Sequence, residues 1–283
     1  MNPTTSTLIR TTPLSGVLGA EISGVDLSEE LSYEQFTAIH QAFLDHHVLV
    51  FRGQDLTPEA QMRFGQRFGE LDFHPFVEGS ADHPEVLDII TEPDDRLNFG
   101  GGWHTDVTFL AEPDLGSILY GVELPAYGGD TLFANQVAAY DALSDTMKSM
   151  LDGLTATHSA ELQYGAGGTS TQSKAMKPTD TDPSAFEVRH PVIRTHPETG
   201  QKSLYVNAGF TTRINGMKRD ESAALLGFLL THAVKERFTC RVRWEQGTLI
   251  MWDNRAVQHH ALFDYAGQRR HVRRITVKGD EPR

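Results

Sequence analysis

The sequence predicts a mainly β protein with helices packed outside it, arranged as a β-sandwich or a jelly roll. Many short strand-like apolar stretches recur along the 283-residue chain. Only a few segments carry the spacing of apolar residues that an amphipathic helix needs. Because no change in composition marks a boundary, we expect residues 1–283 to form a single domain.

The first third of the chain mixes helices with strands. Ser32 can cap a helix while Gln35 reaches back to it, and the apolar side chains that follow then fall on one face. Thr57 followed by Pro58 predicts the start of a second helix. Buried strands are expected at 48–51 and 86–90.

The rest of the chain supplies most of the strands. Segments 137–151 and 221–232 are predicted to be helical. Residues 163–184 are rich in Gly, Thr, Ser and Asp, and a loop of this length inside a compact domain predicts a lid or a mobile segment. Short strands are predicted at 117–122, 131–133, 192–195, 204–206, 239–244, 248–252 and 270–277.

The chain is acidic, with a net charge of −13 and a pI near 5.4. Nucleic acids and anionic membranes bind to positive surfaces, so we expect neither of them as a partner. A small anionic substrate needs only a local cationic pocket and is compatible with this charge.

The cysteine count and the N-terminal residues favour the cytoplasm. Cys240 is the only cysteine, which excludes an intrachain disulfide, and apolar residues alternate around it as in a buried strand. Residues 1–12 lack the apolar segment of a signal peptide, and no apolar run has the length of a bilayer span.

A histidine and an aspartate two residues apart form the first candidate metal motif. On an extended backbone His104 and Asp106 point to the same side, while Thr105 faces away. A third ligand from segment 251–260, which follows a buried strand, would complete two histidines and one carboxylate. That set leaves coordination positions open and is typical of non-haem iron(II) oxygenases.

The last predicted strand is rich in arginine. Arg270 and Arg274 share one face of segment 269–277, where each could form a bidentate pair with a carboxylate or a sulfonate. A solvated basic tail would have the same composition.

Several blocks of the chain resemble, in order, the taurine dioxygenase and dichlorophenoxyacetate dioxygenase family of iron(II)/2-oxoglutarate enzymes. The resemblance extends from about Gly16 to Pro282 and implies a double-stranded β-helix, or jelly roll. The blocks are Trp-His-Thr-Asp-Val-Thr-Phe at 103–109, Gly-Gly-Asp-Thr at 128–131, Phe-Thr-Thr-Arg at 210–213, Trp-Asp-Asn-Arg at 252–255, Gln-His at 258–259 and Gln-Arg-Arg at 268–270.

The resemblance implies a role for each matching residue. His104, Asp106 and His259 would hold Fe(II), with His259 rather than its neighbour His260 as the third ligand. Arg270 and Thr131 would bind the distal carboxylate of the co-substrate 2-oxoglutarate, which reacts with O2.

The resemblance also suggests which residues contact the primary substrate. Arg274 and His74 would face it, and Arg274 favours an anionic group. Taurine-specific members have a tyrosine where this chain has Val77 and an asparagine where it has Gly100. A pocket without these donors favours a larger, partly hydrophobic anion, such as a sulfonate, a sulfate ester or an aryloxyalkanoate. An apolar wall is expected from Phe73, Phe76, Val77 and Phe99.

The main hypothesis is therefore a dioxygenase that hydroxylates such a substrate, with fragmentation of some products. The alternatives are a taurine dioxygenase proper, a zinc hydrolase that uses the same three ligands, and a non-catalytic jelly-roll binding module. Family members are commonly dimers or tetramers, so we expect a homo-oligomer.

Overall fold

The structure is a computed structural model that describes residues 9–168, 170, 174–175 and 177–283. The predicted lid, 163–184, therefore lies partly outside the described residues. The described strands are β1 (Arg10–Pro13), β2 (Ala20–Ser23), β3 (Val48–Phe51), β4 (Leu71–Asp72), β5 (Leu87–Thr91), β6 (Gly116–Glu123), β7 (Thr131–Asn135), β8 (Thr155–Ser159), β9 (Glu187–Pro191), β10 (Ile193–Thr195), β11 (Lys202–Leu204), β12 (Thr211–Ile214), β13 (Thr239–Val242), β14 (Leu249–Asp253), β15 (Val257–Ala261) and β16 (Arg270–Val277).

The described helices lie between these strands. Two short 3-10 helices occur at Pro183–Ala185 and Glu236–Phe238. The α-helices are α1 (Tyr33–His46), α2 (Pro58–Gln66), α3 (Gln136–Asp141), α4 (Asp145–Leu151), α5 (Glu161–Tyr164) and α6 (Arg219–Ala233). Among the described residues, no helix is both long and apolar enough to cross a bilayer.

The largest sheet draws its strands from the whole length of the chain. Its order is β1-β2-β3-β14-β6-β16-β4, and β5 pairs with β16. Smaller sheets are formed by β13-β7-β15, by β12-β8-β9 and by β10-β11. The chain is thus mainly β with helices outside, which confirms the predicted fold class.

The main sheet and the β13-β7-β15 sheet enclose one part of the core. Val50, Ile250 and Trp252 of the main sheet are buried in one cluster with Phe133 and Val242 of the smaller sheet. This contact places β15 and β16 in the two layers of a jelly roll, where side chains from both can reach the space between them.

Helices α1 and α2 cover another part of the main sheet. Ile39 and Phe43 of α1 and Phe64 of α2 are buried in one cluster with Leu49 and Phe51 of β3. The capping box predicted for α1 is present, with the Gln35 N–H donating to Ser32 Oγ at 3.2 Å and the Ser32 N–H donating to Gln35 Oε1 at 2.9 Å. Thr57 caps α2 with a single hydrogen bond, which its hydroxyl oxygen accepts from the Ala60 N–H at 3.2 Å.

One predicted helix is broken in two. The segment predicted as a helix over 137–151 forms α3 and α4, because α3 ends at Asp141 and Ser144 caps a new helix by accepting a hydrogen bond from the Met147 N–H. The apolar spacing continues through both helices, so periodicity alone did not reveal the break.

Candidate functional site

His104 and His259 are held opposite each other by their own backbones. The His104 N–H donates to the His259 carbonyl at 3.0 Å, and the His259 N–H donates to the His104 carbonyl at 2.8 Å. Residues paired in this way project their side chains to the same face. The two rings accordingly lie 4.2 Å apart between centroids.

Asp106 completes a cluster of three potential metal ligands. Its Oδ1 atom lies 3.6 Å from His104 Nε2 and 3.8 Å from His259 Nε2. One ligand atom from each residue lies within 4.8 Å of the other two, and no other such cluster occurs among the described residues. The structure therefore brings together the three residues that the sequence nominated as ligands.

Surrounding hydrogen bonds turn the ligand atoms inward. His104 Nδ1 lies 3.0 Å from the Gly102 carbonyl and donates its hydrogen there, which leaves Nε2 as the acceptor. Ser117 Oγ donates to Asp106 Oδ2 at 2.8 Å, and Arg274 Nη2 lies 3.1 Å from the same oxygen. Asp106 Oδ1 is thus the oxygen that faces the two imidazoles.

The electrostatics favour the ligand forms of these side chains. Burial raises the pKa of Asp106, but Arg274 and the two histidines outweigh this effect and hold the pKa well below its usual range. Burial and the neighbouring His104 lower the pKa of His259. A carboxylate beside two imidazole nitrogens, with open space on one side, fits a divalent first-row transition metal.

A first cavity opens on one side of the cluster. His74, Gly100 and Arg274, which the sequence assigned to the substrate, all line it. Gly100 has φ +78°, and a Cβ atom there would lie 3.9 Å from His104 Nε2, so glycine keeps this approach to the cluster open. The other lining residues include Phe99, Gly101, Trp103, Val107, Gln163, Tyr164, Ser170 and Phe210.

A second cavity opens on the other side. Thr131 and Arg270, which the sequence assigned to 2-oxoglutarate, line it together with His104, His259 and Arg274. Its remaining walls are mostly apolar, formed by Ile89, Phe99, Gly100, Leu119, Trp252, Ala261 and Val272. His104 lines both cavities and therefore lies where they meet.

Arg270 is buried in this second cavity without a counterion. It is 6% exposed, its Nε atom has no hydrogen-bond partner, and it forms no ion pair with a described residue. Burial lowers the pKa of the guanidinium, and the rings of Trp244 and Tyr265 flank it. A buried cation of this kind is a site for an anion from outside the chain.

The apolar wall predicted for the substrate is only partly correct. Phe99 lines both cavities, but Phe73 is 54% exposed and lines neither. Val77 is buried behind the first cavity and forms a β-bridge with Pro178. Phe76 also lies behind the wall, where its ring stacks on Tyr164 at 4.6 Å. Phe73, Phe76 and Val77 do not form one wall because neighbours in sequence do not share one face on this irregular segment.

Two residues of the site were not predicted. Ser117 lies on β6, and an isolated serine in an apolar strand carries no visible signal. Tyr164 ends α5 at the edge of the predicted lid, so the lid prediction pointed to its neighbourhood. His260 lies outside the ligand cluster, with its ring packed on Trp103 at 5.7 Å.

Known proteins resemble the chain over nearly its whole length. The family model described as "Taurine catabolism dioxygenase TauD, TfdA family" matches residues 10–276. The chain is 38% identical to an alkylsulfatase of Acinetobacter baylyi, a match that covers 99% of this chain and 87% of that protein. It is also 38% identical to an alpha-ketoglutarate-dependent sulfate ester dioxygenase of Pseudomonas putida, covering 95% and 89%.

A solved structure agrees with these matches. The crystal structure of a taurine dioxygenase from Burkholderia xenovorans superposes with a TM-score of 0.82 at 38% identity, covering 97% of this chain and 92% of that one. The chain therefore belongs to the TauD/TfdA family, and it is a dioxygenase that uses iron(II), 2-oxoglutarate and O2.

Proposed function

We propose that this enzyme hydroxylates a small anionic organic substrate, namely a sulfonate, a sulfate ester or an aryloxyalkanoate-like carboxylate. The observation that carries the proposal is a pair of buried arginines on one strand. Arg270 and Arg274 both lie on β16, Arg270 in the second cavity and Arg274 at the junction of the two, beside the histidines. Each arginine could thus hold the anionic group of one molecule beside the candidate ligands.

His104, Asp106 and His259 would hold the iron through the atoms that face one another. The chemistry that iron supplies when bound is the coupling of two reactions, the oxidative decarboxylation of 2-oxoglutarate by O2 and the hydroxylation of a carbon–hydrogen bond of the substrate. The protein orients both organic molecules and keeps water away from the reaction. Ser117 and Arg274 fix Asp106 so that one oxygen remains available to the metal.

Arg270 and Thr131 would bind the distal carboxylate of 2-oxoglutarate in the second cavity. The buried guanidinium offers a bidentate contact, and the Thr131 hydroxyl can add a further hydrogen bond. Apolar neighbours such as Leu119 and Val272 suit the methylene groups of the co-substrate.

Arg274 would bind the anionic end of the primary substrate in the first cavity. For a sulfate ester hydroxylated at the carbon that bears the ester oxygen, the carbon–oxygen bond then breaks. The substrate, 2-oxoglutarate and O2 would give an aldehyde, hydrogen sulfate, succinate and CO2. The names of the relatives support sulfate esters as the first candidates.

The other interpretations have less support. A zinc hydrolase would not need a cavity with a buried arginine such as Arg270. Membership of a dioxygenase family argues against a zinc hydrolase and against a non-catalytic binding module. A taurine dioxygenase proper has less support because this chain has Val77 and Gly100 where the taurine-specific members have a tyrosine and an asparagine, and neither residue supplies a side-chain donor.

Succinate release tests the proposal. The iron-loaded protein is given 2-oxoglutarate, O2 and, separately, hexyl sulfate, hexanesulfonate, phenoxyacetate and taurine. We expect succinate above the substrate-free rate with at least one of the first three. Stimulation by taurine alone would overturn the proposed substrate class.

We also propose that residues 1–283 act as one catalytic domain in the cytoplasm, as a dimer or tetramer, without nucleic acid or membrane as a partner. The main sheet supports a single domain because it combines strands from β1 to β16. The net charge of −13 supports the absence of nucleic acid binding. Light scattering measures the oligomeric state.

A further inference from the structure

A histidine and a tyrosine form a hydrogen-bonded pair in the wall of the first cavity. His74 Nε2 lies 3.1 Å from the Tyr164 hydroxyl oxygen, and both residues line the cavity together with Arg274. His74 precedes the strand β5, whereas Tyr164 ends α5, so the pair joins two separate segments at this wall.

The direction of this hydrogen bond follows from the other nitrogen of the ring. His74 Nδ1 accepts a hydrogen bond from the Phe76 N–H at 3.1 Å. In a neutral imidazole one nitrogen accepts and the other carries the hydrogen, so Nε2 must donate to the Tyr164 oxygen. Burial, aided by Arg274, lowers the pKa of His74 to about 3, which keeps the ring neutral at ordinary pH.

The hydrogen of the Tyr164 hydroxyl is therefore free to point elsewhere. Ser170, which also lines the cavity, hydrogen-bonds to this phenol. A serine hydroxyl can donate as well as accept, so it can give its hydrogen to the phenol when an anion takes the phenol hydrogen. Burial raises the pKa of Tyr164, which keeps the hydroxyl protonated as a donor.

Aromatic neighbours hold the tyrosine ring in place. The ring stacks on Phe76 at 4.6 Å and 26°, and it lies nearly parallel to Phe210 at 6.5 Å and 11°. Phe109 meets its edge at 5.9 Å. A donor fixed on several sides loses little conformational freedom when it binds a ligand.

Arg274 offers the edge that binds planar carboxylates. Its Nε and Nη2 atoms have no hydrogen-bond partner among the described residues, although Nη2 lies close to Asp106. A carboxylate can satisfy these two atoms with its two oxygens. A sulfate ester or a sulfonate has three terminal oxygens, so one oxygen remains for another donor.

We propose that the Tyr164 hydroxyl, positioned by His74, donates to the third oxygen of a sulfate or sulfonate group held by Arg274. This makes Tyr164 a specificity-determining residue that favours tetrahedral head groups over planar carboxylates. The inference rests on the proposed function, because it assumes that the first cavity binds the primary substrate.

The test compares two ligands that differ mainly in the head group. Hexyl sulfate and heptanoate are titrated calorimetrically, without O2, into protein loaded with iron(II) and 2-oxoglutarate. Tyr164→Phe keeps the ring but removes the donor. We expect the Kd for hexyl sulfate to rise about 10- to 100-fold, the loss typical of a hydrogen bond to a charged group, and the Kd for heptanoate to change less than about threefold.

Two further variants complete the experiment. Tyr127→Phe changes a tyrosine that is 65% exposed and should leave both Kd values unchanged. His74→Phe should weaken hexyl sulfate binding, and adding it to Tyr164→Phe should have little extra effect, because His74 acts through the phenol.

Equal effects of Tyr164→Phe on the two Kd values, or no effect on the Kd for hexyl sulfate, would overturn the inference. The proposed function would still stand in that case if the wild-type enzyme releases succinate in response to hexyl sulfate. Absence of that release for the whole substrate panel would overturn the proposed function and this inference with it.

Discussion

The indole of Trp244 donates a hydrogen bond to the hydroxyl oxygen of Thr131 at 3.1 Å. Because this bond occupies the oxygen as an acceptor, the hydrogen of the Thr131 hydroxyl can be given to another group. The guanidinium of Arg270 lies 5.3 Å over the same indole. Trp244 thus orients two donors of the second cavity at once.

Arg270→Met should weaken the binding of 2-oxoglutarate without lowering the stability of the protein. We expect the KM for 2-oxoglutarate to rise at least about 30-fold, because a desolvated charge pair is lost. Without 2-oxoglutarate the variant should be as stable as the wild type or more stable, since an unpaired buried charge is removed. Kinetics and thermal melts, each with and without 2-oxoglutarate, measure both effects.

The neighbouring arginine provides the control. Arg269 is on the surface, where it pairs with Glu92 and Glu123, so Arg269→Met should leave the KM for 2-oxoglutarate nearly unchanged. A similar KM in Arg270→Met and the wild type would contradict the assignment of the second cavity.

His259→Ala should abolish iron binding and succinate formation without unfolding the protein. The backbone hydrogen bonds between His104 and His259 do not involve the side chain and remain. His260→Ala is the matched control, because His260 lies next in the chain and packs on Trp103 outside the cluster. Metal analysis of both variants after iron loading checks the result, and loss of iron from His260→Ala instead would reverse the ligand assignment.

The sequence predicted most of this site because its ligands stand in short, recognisable blocks. The spacing of His104 and Asp106 placed two ligands on one side of the chain, and strand alternation placed Arg270 and Arg274 on one face. Family resemblance supplied His259 and the roles of the two arginines. Sequence alone could not show that β15 and the segment at 104 form a β-bridge, which depends on tertiary pairing.

The substrate wall was harder to predict for a physical reason. Periodicity indicates which residues share a face only on regular helices and strands, and the segment around Phe73 and Val77 is mostly irregular. Tyr164 comes from another segment altogether, and only the folded chain brings it to His74.

Ser117→Ala should weaken iron binding although Ser117 is not a ligand. The variant loses the 2.8 Å hydrogen bond that fixes Asp106 Oδ2, and the loss of a partner of this kind typically lowers metal affinity about 10- to 100-fold. Ser203→Ala removes another buried serine hydrogen bond, to the Arg255 carbonyl, away from the metal ligands. Iron titrations should therefore separate the two variants, and equal affinities would exclude an orienting role for Ser117.

Asp253→Asn should destabilise the protein most at neutral pH. Asp253 is buried between Arg255, at 2.8 Å, and His196, at 2.9 Å, and this group fixes the turn that leads from β14 into the strand of His259. Removal of the charge leaves Arg255 partly uncompensated, so the free energy of unfolding should fall by about 3 kcal/mol at pH 7.

The pH dependence of this effect has a definite sign. Burial raises the pKa of Asp253, but Arg255 and His196 outweigh burial and hold the pKa well below its usual range. The folded protein therefore binds this proton more weakly than the unfolded chain does. The stabilisation is present above the unfolded pKa of about 4 and is lost as the pH falls below it. Urea unfolding at pH 7 and pH 3 measures the free energy of unfolding, and the difference in this free energy between wild type and Asp253→Asn should be smaller at pH 3. The control is Asp152→Asn, which changes an exposed ion pair with Lys202 and should leave the free energy of unfolding unchanged at both pH values. A difference that is equal at both pH values would contradict the stabilising role of the charged carboxylate.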